Sequence, residues 1–103
     1  KTKTVTRRTG WERLRVGTML LAIEKGQGLK RGERVKPIGV IRVTDVRREV
    51  LAALVREPYG TEEARREGFP ELDGCAFLDR FLSHSNLQAH DYVTRIAFEH
   101  VDQ

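Results

Sequence analysis

Residues 37–46 read PIGVIRVTDV, and this stretch decides the class of fold. Val40, Arg42, Thr44 and Val46 alternate with Ile41, Val43 and Asp45, the period of a strand with one polar-tolerant face. Its β-branched content agrees. The same period returns near the end of the sequence. Tyr92, Thr94, Ile96 and Phe98 alternate with Val93, Arg95, Ala97 and Glu99, which predicts a final strand over Tyr92–Val101. Upstream, the apolar run VGTMLLAIE from Val16 to Glu24 predicts a buried strand. Residues 25–36, KGQGLKRGERVK, hold three glycines and five bases, which predicts a hairpin-like loop. The first ten residues, KTKTVTRRTG, are too basic and polar for a core strand and predict an exposed loop or strand edge leading to Trp11.

Helical signals fill the middle. EVLAALVR, from Glu49 to Arg56, predicts a short helix that stops before Pro58. In YGTEEARREGF, Thr61 can cap a helix whose first turn is acidic and whose last turn carries Arg65 and Arg66, with Gly68 as the stop. Between Leu72 and Leu82, Cys75, Phe77, Leu78, Phe81 and Leu82 share one helical face, which makes Cys75 a packing residue. Strands at both ends with helices between them give an α+β class, with a small curled sheet or barrel. A doubly wound parallel sheet is disfavoured, because strands and helices do not alternate regularly.

With 103 residues, 33% charged and 39% hydrophobic, the chain has the composition of one folded domain rather than a disordered tail. No apolar run approaches the roughly 20 residues that cross a bilayer, so no membrane partner is expected. One cysteine excludes an internal disulfide, and with three histidines a structural zinc site is disfavoured. No cofactor is implied, and a reducing, cytoplasmic setting fits. Charge is unevenly placed: residues 1–60 hold fifteen bases and six acids, and 61–103 hold four bases and nine acids. Such asymmetry suits a basic face that attracts phosphate or a nucleotide, or a set of solvated strand edges.

The N-terminal run carries the first chemical candidates. Thr4, Thr6 and Arg8 share one face of an extended segment, and Lys3 joins them only if its stem reaches round. A lysine whose pKa is depressed by neighbours such as Arg7 and Arg8 can deprotonate a threonine or a water. The plainer reading is a solvated basic edge. Glu24 either faces a pocket or pairs with a loop lysine. Trp11 and Tyr59 offer rings on which a base can stack, or serve as packing aromatics. His84, between Ser83 and Ser85, fits best as a helix C-cap.

Taken in order, KTVTRR, the I-x-V-T-D-V-R strand, YG-x-EEA-x-x-EGF and the closing VTRIAFE strand resemble an ASCH domain. That resemblance implies a PUA-like fold, a small curved β-barrel with short helices over its openings, across residues 1–103. Lys1 stands where the family has a glycine ending a preceding segment, so the domain is expected with its N-terminal segment trimmed. The bacterial N(4)-acetylcytidine amidohydrolase branch implies a base at Lys3, a nucleophile at Thr6, an acid or orienting group at Glu67, and the following arginine at Arg8. The resemblance thus implies hydrolysis of the amide of an acylated cytidine. The alternatives are a non-catalytic module for RNA or a modified base, and a ribonuclease. The expected partner in each case is a nucleoside or RNA in a cleft with a basic rim, touched by Arg7, Arg8, Glu24, Trp11 and Tyr59. The sequence leaves the oligomeric state open.

Overall fold

The final strand is the pivot of the sheet. A computed structural model describes residues 3–23 and 37–101; Glu24 and the glycine-rich loop lie outside the described residues. Strand β1 spans Val5–Arg8, β2 Met19–Ile23, β3 Pro37–Val50 and β4 Tyr92–Val101. They form one open antiparallel sheet in the order β1-β4-β3-β2, with helices α1 (Tyr59–Arg66) and α2 (Gly74–Ser83) between β3 and β4 in sequence. The class is therefore α+β. No helix among the described residues is long and apolar enough to cross a membrane.

Strand β3 runs four residues past the predicted Val46, and one residue re-aims its side chains. Val43 pairs with Phe98 but Asp45 pairs with Ala97, so Thr44 is the extra residue of a bulge. Before the bulge Ile41 and Val43 share a face with Ile96 and Phe98. After it Asp45, Arg47 and Glu49 share the opposite face with Val93, Arg95 and Ala97. Arg7 pairs with Arg95, which pairs with Arg47, so three arginines form one row across β1, β4 and β3.

Several expectations are corrected. The N-terminal run is not wholly exposed: Val5 and Arg7 are buried within β1, because the buried arginine finds carboxylates to neutralise it. The apolar run at Val16 begins its strand only at Met19, and Val16 and Leu21 are exposed rather than buried. Glu49 and Val50 belong to β3, leaving a short 3₁₀ helix at Leu51–Val55. Helix α1 begins two residues before Thr61, with Pro58 at its N-cap position and no side-chain cap. Glu57 serves the helix starts instead. Its two carboxylate oxygens accept from the Thr61 and Gly74 amides, at 2.9 and 2.8 Å. Those amide bonds hold its pKa below the usual carboxylate value. Cys75 is exposed, not packed. Gly68 does end α1, at φ +100°, and His84 is the C-cap of α2, its Nδ1 2.9 Å from the Arg80 carbonyl.

The apolar core sits beyond the polar end of this layer. Leu51, Leu54, Ala64, Phe77, Leu78 and Val93 pack together, with Phe69 and Phe81 flanking Phe77. Gly60 and Ala64 turn one face of α1 towards the 3₁₀ helix and α2, and Tyr59, Glu63 and Glu67 turn the next face onto the sheet. Residues four apart on a helix stack one above the other, so these three make a single polar stripe.

Candidate functional site

The stripe on α1 lies across the arginine row of the sheet. Arg7 is at the centre, its side chain wholly buried. It donates from Nε to Glu49 at 2.8 Å, from Nη1 to Glu67 at 2.7 Å, and from Nη2 to Glu63 at 2.7 Å and the Tyr59 hydroxyl at 3.3 Å. Arg95 donates to both oxygens of Glu63, at 2.6 and 3.0 Å, and reaches Asp45 at 3.5 Å. Arg47, about half exposed, donates to the Tyr59 hydroxyl at 2.8 Å, and that hydroxyl donates to Glu49. Every buried side-chain nitrogen and oxygen among the described residues has a partner, as a buried charge cluster requires.

Protonation follows from how the charges are shared. Burial alone would lower the Arg7 pKa, but Glu49 and Glu67 outweigh it, so the guanidinium stays charged. Burial pushes Glu63 up, yet hydrogen bonds from Arg95 and Arg7 prevail and hold it below the usual carboxylate value. For Glu67 burial prevails. Its pKa is raised despite Arg7 and Lys3, because Arg7 divides its charge among three carboxylates and Lys3 Nζ stands 3.9 Å away and half in solvent. Burial and the bond to Glu49 raise the Tyr59 hydroxyl as well.

This asymmetry has a measurable sign. A raised folded-state pKa means that the contribution of Glu67 to stability is fully present below the unfolded carboxyl value and is lost as pH rises through the folded value. Glu67→Gln, which fixes the neutral form, is expected to match the wild type at pH 4 and to gain on it towards pH 8. Urea midpoints at the two pH values check this; a variant that falls progressively behind as pH rises would contradict it.

The predicted site residues divide. Lys3, Arg7, Tyr59 and Glu67 meet at this cluster. Thr6 lies on the other alternation of β1 from Arg7, with Thr4 and Arg8, and its hydroxyl accepts from Arg8 Nε at 3.3 Å. Arg8 and Trp11 are exposed, and Glu24 lies outside the described residues. Sequence reasoning missed Glu49, Glu63, Arg47, Arg66 and Arg95. The four-residue spacing of Tyr59, Glu63 and Glu67 was the signal that could have found the carboxylate stripe.

Beside the cluster runs an open groove of about 430 Å³, walled by Pro58, Tyr59, Glu62, Glu63 and Arg66 on one side and by Arg47 and Arg95 of the sheet on the other. Three arginines, two glutamates, a proline and one phenol ring line it. No group of three His, Cys, Asp or Glu among the described residues is placed to hold a metal ion. No family model, curated protein or solved structure matches this chain.

Proposed function

We propose that this chain is a binding module for a nucleoside or RNA, which it holds in the groove between α1 and the β3–β4 face. What supports the reading is one observation: Arg47, Arg66 and Arg95 converge on an open cleft that also presents Tyr59. Guanidinium groups bind phosphate and stack on bases, and a phenol ring offers a face to any base. The openness of the cleft favours an extended or end-on ligand over a small molecule sealed from water. The resemblance to ASCH domains agrees with this reading, and implies a PUA-like sheet that curves towards a barrel.

Fluorescence anisotropy with a labelled ten-nucleotide single strand tests it. Two or three neutralised phosphates predict that affinity falls about tenfold between 50 and 200 mM salt. Arg47→Ala is expected to weaken binding severalfold at low salt. Absence of saturable binding at 50 mM salt, from folded protein, would sink the proposal.

A second reading, hydrolysis of the amide of an N(4)-acylated cytidine, draws on the approach of Lys3 to Glu67 and on the raised pKa of that carboxyl. In it Thr6 is the nucleophile, Lys3 its base and Glu67 the proton donor or orienting group. The placement of Thr6 on the opposite alternation of β1 is why binding stands first. Turnover of N(4)-acetylcytidine that is lost in Lys3→Ala, Thr6→Ala and Glu67→Ala would reverse that order.

A further inference from the structure

The charges lining the groove are not equally committed. Glu62 accepts from Arg65 at 2.7 Å, and Glu63 accepts from Arg7 and Arg95 at 2.7 Å or less. Arg95 is locked onto Glu63 through two nitrogens, and Arg47 is bonded to the Tyr59 hydroxyl. Arg66 differs. It is about half exposed, and its Nε stands 3.9 and 4.0 Å from Glu62 and Glu63, beyond hydrogen-bond distance. Its two terminal nitrogens donate no hydrogen bond among the described residues. A guanidinium whose fork donates no hydrogen bond among the described residues, and which meets the two acids only at ion-pair distance, can receive an anion.

Position then selects the anion. Arg66 and Tyr59 are seven residues apart on α1, about 10 Å along the helix axis. The groove therefore presents a ring at one end and the Arg66 guanidinium at the other, and its volume suits one nucleotide unit of an end-on ligand. Resting on the nucleoside-binding reading above, we propose that the ligand is a phosphorylated nucleotide unit, with its terminal phosphate on Arg66 and its base at the Tyr59 end.

The test compares cytidine 5′-monophosphate with cytidine, by calorimetric or NMR titration of wild type, Arg66→Gln and Arg66→Lys. Arg66 is about half exposed and its one buried charged neighbour, Glu63 at 4.0 Å, keeps its hydrogen bonds from Arg7 and Arg95, so both variants are expected to fold. Charge-assisted hydrogen bonds to phosphate predict a preference for the monophosphate of at least about tenfold in the wild type. Arg66→Gln should cut that preference to about threefold or less, and Arg66→Lys should restore part of it. Equal affinities for the two ligands, or a preference that survives Arg66→Gln, would overturn the phosphate assignment while nucleoside binding stands. If neither ligand binds saturably, the phosphate assignment fails, and the binding reading fails with it where the ten-nucleotide strand also does not bind.

Discussion

Arg7→Met is expected to remove about 3–5 kcal/mol of folding stability, the usual cost of taking one partner out of a buried ion cluster. The substitution keeps most of the side-chain volume, so the loss reports charge and hydrogen bonding rather than a cavity. Glu49, Glu63 and Glu67 would keep their burial and lose a shared guanidinium, and among the described residues Glu67 would keep the half-exposed Lys3 as its remaining cation. Against a typical stability of 5–15 kcal/mol, roughly, that is a large fraction. The deficit has a pH signature. Carboxyls stripped of their cation bind protons more tightly in the folded state, so it should shrink as pH falls from 8 towards 4.5. Urea denaturation at both pH values measures it. Should the single variant fail to fold, Arg7→Met with Glu67→Gln supplies the check, because neutralising the carboxyl left with the weakest partner should recover part of the loss. A loss below about 1 kcal/mol, without pH dependence, would mean that the cluster contributes little.

Gly60→Ala sets two effects against each other. In an exposed helix the change stabilises by about 1 kcal/mol. Here the new methyl would stand 1.9 Å from the Leu54 carbonyl oxygen and 2.6 Å from the Gly74 Cα. Both obstacles are backbone, and Gly74→Ala meets the same pair from the other side, at 2.1 Å from Leu54 and 2.8 Å from Gly60. Neither glycine needs a left-handed conformation, so the whole cost is steric. The clash should win by about 2–3 kcal/mol, lowering the melting temperature by about 10–20 °C. A neutral or stabilised Gly60→Ala would show that α1 and α2 can separate without loss.

The final strand was legible from its β-branched and aromatic residues rather than from alternation against water. Tyr92–Val101 has the predicted bounds, yet Val93, Thr94, Arg95 and Ile96 are buried in succession. Gly68 and His84 were legible because helix ends require particular backbone and hydrogen-bond chemistry. Illegible were the positions where charge is buried. Arg7 sits among basic and polar neighbours and carries the signature of a surface residue. Only its carboxylate partners, 42, 56 and 60 positions away, account for its burial. The bulge at Thr44 was equally hidden, since one extra residue leaves composition unchanged while exchanging which side chains face α1. Of the residues that meet at the cluster, Lys3, Arg7, Tyr59 and Glu67 were singled out from the sequence. The resemblance supplied the pairing of Lys3 with Glu67, and the bulge supplies the Arg47 and Glu49 that meet Tyr59.

The groove between α1 and the sheet is the proposed seat of the ligand. Labelled protein titrated with a short single-stranded RNA, read by backbone amide and arginine Nε chemical shifts, tests this placement. Saturable shifts concentrated at Arg47, Tyr59, Arg66 and Arg95 are expected. Shifts gathered instead around Arg8 and Trp11, with the groove residues unmoved, would contradict it.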